Sequence, residues 1–107
     1  DMEKSIELMK KAAEQESAEA LTLLGYWYLD PPTDFIAQDF NEGIKLLKRA
    51  AEQGYPIAQY YLGQAYQSGY GVDRDKRKAK KWFDKAAMQG VTHQNFNNNN
   101  NRNNNNQ

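Results

Sequence analysis

The stretch KRAAEQGYPIAQYYLGQAY, residues 48–66, decides the fold. Two alanines lead into a glycine and a proline, and an Ala-x-x-x-Leu-Gly-x-x-Tyr run follows. Both halves recur. KKAAEQE (10–16), KRAAEQG (48–54) and DKAAMQG (84–90) place their first alanines at Ala12, Ala50 and Ala86, 38 and 36 residues apart. ALTLLGYWYL (20–29) and AQYYLGQAYQ (58–67) recur 38 residues apart. Two signatures in fixed order at a near-constant period mark stacked repeat units, not a bundle with coincidental alanine pairs.

Each unit reads as two helices. Asp39 is cap-like, with Glu42 three residues on and able to reach back. Phe40, Ile44, Leu47 and Ala51 then recur at helical spacing. Gly54 can take the left-handed conformation that ends a helix. Pro56 suits the first turn of the next helix, which runs to about Gln67. The two glycines of Ser68-Gly69-Tyr70-Gly71-Val72 break it. Asp75 starts another helix with Ala79, Trp82, Phe83, Ala86 and Ala87 on its apolar side, and Gly90 ends it. The change of period lies in the hairpin loops: nine residues separate Leu29 from Asp39, and seven separate Gln67 from Asp75. Insertions there cost little. Phe35 and Ile36, in the longer loop, are expected to fold back over the helix ends.

Gly25 and Gly63 stand mid-helix despite a propensity cost of about 1 kcal/mol relative to alanine. Close helix crossings would justify them. Ala50 and Ala51 serve the same purpose on the partner helix, and tyrosines and tryptophans fill the wider gaps.

The pattern resembles the Sel1-like repeats, relatives of the tetratricopeptide repeats. Ala20, Leu24, Gly25 and Tyr28, and again Ala58, Leu62, Gly63 and Tyr66, match the first helix of the family's unit. Gly69-Tyr70-Gly71-Val72 matches its loop, and Trp82, Lys85, Ala86, Ala87 and Gly90 its closing motif. The first full unit lacks the loop glycines and has Leu46 where tryptophan is common; Glu16 replaces the terminal glycine of the leading half-unit. The resemblance implies an all-α, right-handed solenoid of helical hairpins. Residues 1–94 form the repeat region, with a partial unit 1–16 and full units 17–54 and 55–90. It further implies an adaptor or scaffold, as in signalling, that binds a protein or peptide without catalysis.

Composition narrows the function. Net charge is zero: residues 1–57 carry 11 acidic and 6 basic residues, and residues 58–107 carry 3 and 8. That balance gives nucleic-acid binding no support. No cysteine is present, which removes disulfides and thiolate metal sites. No apolar run is long enough for a membrane span, and no localisation follows. His93 is the only histidine. It has no companion for a metal set or a triad, and reads as a solvent-exposed residue leaving the last repeat. The acids at helical spacings, such as Glu3 and Glu7, read as solvated faces. Gly69-Tyr70-Gly71 lacks the residues of a phosphate loop. Neither a catalytic residue, a cofactor nor a small-molecule substrate is expected. Arg74, Lys76, Arg77, Lys78, Lys80 and Lys81 read as a solvated face.

Partner contacts are expected on the first helices of the units, at Thr22, Tyr26, Gln59, Tyr60, Gln64 and Gln67, which combine aromatic area with amide hydrogen bonding. The alternatives are a structural or self-assembling repeat module, motivated by the tail, and a hydrolase, for which no catalytic set stands out. The tail NFNNNNNRNNNNQ (95–107) breaks the repeat. Asparagine amides compete for backbone groups, so the tract is expected to be disordered, with assembly as the sharper alternative. A solenoid end without a cap calls for further repeats of a parent chain, or a partner, to cover it.

Overall fold

A computed structural model describes residues 1–94. Five α-helices follow in order: α1 (Met2–Glu14), α2 (Ala18–Leu29), α3 (Phe40–Glu52), α4 (Pro56–Ser68) and α5 (Lys76–Met88). The expected tail conformation concerns residues outside that range.

Local chemistry starts and stops each helix. The side chains of Asp1, Ser17, Asp39 and Asp75 accept from the backbone N–H of Lys4, Ala20, Glu42 and Lys78, satisfying amides that lack a helical partner. Pro56 opens α4 at its first turn. Glu42 does not close the reciprocal box, because the Asp39 N–H is already committed to the Tyr28 carbonyl at 2.9 Å. Asp75 does the same with Tyr66 at 2.9 Å, so each aspartate ties its helix to the one before. The ends of α1, α3 and α5 also match. Glu16, Gly54 and Gly90 turn left-handed, with φ of 62°, 92° and 91°. The next N–H then returns to the first alanine of the pair: Ser17 to Ala12, Tyr55 to Ala50 and Val91 to Ala86.

The helices pack as antiparallel neighbours along the chain, most extensively α2 on α3 and α4 on α5, with α3 also against α4 and α1 against α2. Leu21, Leu47 and Leu62 are fully buried at the centre; each such side chain contributes about 1.5–3 kcal/mol. Gly25 and Gly43 set the closest approach of α2 and α3. A Cβ on Gly25 would lie 2.9 Å from the Gly43 carbonyl oxygen, and one on Gly43 would lie 2.7 Å from that of Gly25. The crossing expected at Gly63 is also present: a Cβ there would lie 2.7 Å from the Phe83 ring. A glutamine joins successive units. Gln53 donates to the Glu16 carbonyl at 3.1 Å, and Gln89 to that of Gly54 at 2.9 Å.

Some expectations change. Ile36 folds back and is buried, but Phe35, in the turn just before it, points outward and is 62% exposed. Phe40 lies on the rim of α3, tilted against Tyr70 at 4.9 Å. Gly43, Leu46 and Ala50 are buried in α3 beside Ile44, Leu47 and Ala51, since that helix has neighbours on two sides. In α5, Ala87 is exposed, and Trp82 and Phe83 are half-buried.

Candidate functional site

The unit's first helices, α2 and α4, present a groove of about 350 Å³ lined by Tyr26, Leu29, Tyr61, Gln64, Ala65, Gln67, Ser68 and Tyr70. Tyr26 of α2 and Tyr61 of α4 stack across it, centroids 4.8 Å apart and rings 23° from parallel. The stack joins one unit to the next. The Tyr70 hydroxyl donates to the Leu29 carbonyl at 2.9 Å, which pins the glycine-containing loop after α4 over the end of α2. Gln38 donates its amide to the same carbonyl at 2.9 Å. Gln64 and Gln67 are exposed, and Gln64 also hydrogen-bonds with the Tyr60 side chain.

No lining residue carries a formal charge. Burial pushes the Tyr26 phenol above its ordinary value, and Asp30 at the end of α2 adds to that. Burial likewise raises Tyr61, with Tyr26 and Tyr60 contributing. Both phenols are therefore neutral donors and acceptors near neutral pH.

Of the six residues expected to contact a partner, Tyr26, Gln64 and Gln67 line this groove. Thr22, Gln59 and Tyr60 instead belong to the packing, each 3–4% exposed. Thr22 donates its hydroxyl to the Ala18 carbonyl at 2.7 Å. Gln59 donates to Ala51 at 3.1 Å and accepts from Gln89 at 3.2 Å. Tyr60 shares a 2.8 Å hydrogen bond with His93 Nδ1 and lies against the Phe83 ring. His93 is exposed, as expected, yet it is held by Tyr60 and by an edge contact to Phe83 at 4.7 Å.

Tyr61 and Tyr70 were not among the expected contacts. One residue along a helix is a turn of about 100°, which sends Tyr60 toward α5 and Tyr61 toward α2. The signal was present: Tyr61, Gln64, Ala65 and Ser68 form an i, i+3, i+4, i+7 stripe.

The cationic residues of α5 are exposed, as expected. Lys80 pairs with Asp84 at 2.9 Å, Lys78 sits over Tyr66 and Lys85 over Trp82. Among the described residues no group of three or more histidine, aspartate or glutamate side chains could hold a metal ion. None of the described helices is long and apolar enough to cross a membrane.

Helical hairpins that stack through recurring glycine crossings, alanine turns and glutamine bridges define an α-solenoid of the tetratricopeptide-like kind. The chain belongs to the Sel1 repeat family, whose profile matches residues 1–17, 18–55 and 56–91. It is 37% identical over 86 residues to the chitin synthase regulator SKT5 of Malassezia restricta, covering 80% of this chain and 6% of that protein. It is also 37% identical over 87 residues to the SKT5 of Saccharomyces cerevisiae, covering 81% and 12%. The chain thus spans a small fraction of the length of these two regulators. The crystal structure of a Sel1 repeat protein from Oxalobacter formigenes superposes with a TM-score of 0.79 at 34% identity, covering 84% of this chain and 67% of that one. Sel1 and tetratricopeptide repeats are, as a rule, non-catalytic modules for protein–protein interaction, and this chain carries the Sel1 repeat.

Proposed function

We propose that this repeat region is an adaptor that holds a protein or peptide segment in the tyrosine groove between α2 and α4. The supporting observation is the Tyr26–Tyr61 stack, flanked by the exposed amides of Gln64 and Gln67 in a groove with no formal charge. Flat aromatic area with amide donors and acceptors around it suits a polypeptide backbone and apolar side chains, the combination enriched at the centres of protein interfaces. An uncharged lining places no charge requirement on the segment. The likeness to proteins named as chitin synthase regulators supports an adaptor that holds another protein. The same reading takes residues 1–94 as one repeat region, divided after the left-handed residues Glu16, Gly54 and Gly90.

A peptide library displayed on phage tests this. Selected peptides are expected to lose affinity about tenfold or more on Tyr61→Ala, as hot-spot aromatics do, and on Gln64→Glu. Lys48→Ala, outside the groove, is expected to leave binding unchanged. Peptides that bind all three variants as they bind the parent would move the site elsewhere.

A further inference from the structure

We propose that the cleft between α1, α2 and α3 is a second recognition site, and that it takes the indole of a tryptophan presented by a partner polypeptide. The cleft holds about 360 Å³ and is lined by residues of all three helices. It is separate from the tyrosine groove: its α2 residues, Leu24 and Tyr28, each stand two positions from Tyr26, about 200° around the helix. The next unit carries the same walls. Lys10, Ala13, Glu14, Leu24 and Tyr28 line the cleft and recur 38 residues on as Lys48, Ala51, Glu52, Leu62 and Tyr66. The other lining residues come from α3 and differ in α5, 36 residues on: Leu46 matches Trp82, Arg49 matches Lys85 and Glu42 matches Lys78. In the second unit the chain thus supplies an indole of its own, since Trp82 is half-buried and packs against the core. In the first unit the shorter leucine stands at that position and the cleft is open. Ala13, Leu24 and Leu46 are each 4% exposed, so its base is apolar.

The charged rim suits an indole better than an aliphatic side chain. Lys85 holds its Nζ 4.9 Å from the ring centroid of Trp82. Arg49 stands in the register position of Lys85, so a ring seated in the cleft would lie against its guanidinium, a favourable partner for an aromatic face. That guanidinium pairs with Glu16, and both side chains are partly exposed. Such a pair contributes little and can yield to a ring. Glu42 replaces the lysine of the second unit and brings a carboxylate beside Tyr28, whose phenol is raised by burial and then by Glu42 and Asp39. With Glu14 it offers an acceptor for the indole N–H, the ring's one polar group. An aliphatic side chain would use neither the guanidinium nor the carboxylates. A second copy of the chain is the poorer source, because Trp27 and Trp82 are already packed against its own core.

The test titrates the full chain, isotope-labelled for amide NMR, with N-acetyltryptophanamide, which carries the indole side chain between two peptide groups. The amide signals of Leu24, Tyr28, Leu46 and Arg49 are expected to shift together and to saturate, with half-saturation at about 1 mM for a ligand of this size. N-acetylleucinamide should leave them in place. Leu46→Trp builds the ring into the cleft. It should abolish the response and raise Tm by about 4 °C. Arg49→Gln should weaken binding about threefold while the chain stays folded. Lys81→Ala, exposed on α5, should leave binding unchanged. The absence of a saturable shift, an equal shift with the leucine compound, or a Leu46→Trp chain that melts below the parent overturns the proposal. Free indole that binds more tightly than the peptide-flanked ring would assign the cleft to a small molecule, and overturns it as well.

Discussion

Gly25, Gly54 and Gly63 are glycines for different reasons, and substitution separates them. Gly54 ends α3 at φ 92°, with nothing within 4 Å of a would-be Cβ. Gly54→Ala should therefore cost about 1 kcal/mol from the left-handed backbone alone. At Gly25 a methyl group meets the Gly43 carbonyl oxygen at 2.9 Å, and a helix backbone cannot swing aside. Gly25→Ala is expected to destabilise by about 2 kcal/mol even after the helix-propensity gain. At Gly63 the obstacle is the half-buried Phe83 ring, which can turn. Gly63→Ala should cost about 1 kcal/mol or less, and less again in a Phe83→Leu background. Urea midpoints of the three alanine variants check the order; a Gly25→Ala chain as stable as the parent would contradict the α2–α3 crossing.

Between elements, the tyrosine stack and the glutamine bridges join one unit to the next, and they respond to different perturbations. Burial raises the Tyr26 and Tyr61 phenols above the ordinary value of 10.0. The folded chain keeps these protons at a pH where the unfolded chain has begun to lose them. The stability they contribute is thus complete below pH 10 and is lost as pH rises through the folded values. Melting temperature followed from about pH 8 to 12 should fall in that upper range, and Tyr61→Phe should flatten the fall. A fall of the same steepness in the Phe variant would remove Tyr61 as a cause. Gln89 donates to both Gly54 and Gln59. Gln89→Leu is expected to cost about 1 kcal/mol, the net worth of a typical hydrogen bond. Denaturant melts at neutral pH measure it, and no change would mean that water replaces these bonds without loss.

Across the whole molecule, each helix packs mainly on its neighbours in sequence, so stability is distributed as in a one-dimensional stack. Helix α3 lies between α2 and α4, whereas α1 packs on α2 and α5 on α4. Amide exchange under native conditions should therefore be slower in the flanked helices α2, α3 and α4 than in α5, and fastest in α1, with α1 opening well below the global unfolding free energy. Equal protection in α1 and α3 would mean that the helices unfold as one unit. The outward charge of α5 stays on a solvated face, where surface pairs such as Lys80–Asp84 contribute little.

The sequence alone determined the period, the helix order and most helix ends, because these rest on local chemistry: a capping aspartate, a left-handed glycine, a first-turn proline. It also marked Gly25 and Gly63 as crossings, since a mid-helix glycine needs a reason. It did not resolve which side of α4 faces which neighbour. Tyr60 and Tyr61 are the same residue type side by side, and their fates differ only through the rotation of the helix between α2 and α5. Gln59 and Thr22 look available in the sequence but are buried, because Ala51 and Ala18 offer carbonyls within reach. The split of Phe35 from Ile36, and the Tyr70 bridge to Leu29, depend on a long-range approach that no local pattern encodes. Helix ends depend on a few neighbouring residues, whereas the groove depends on how two helices 38 residues apart turn toward each other, which only the packed chain decides.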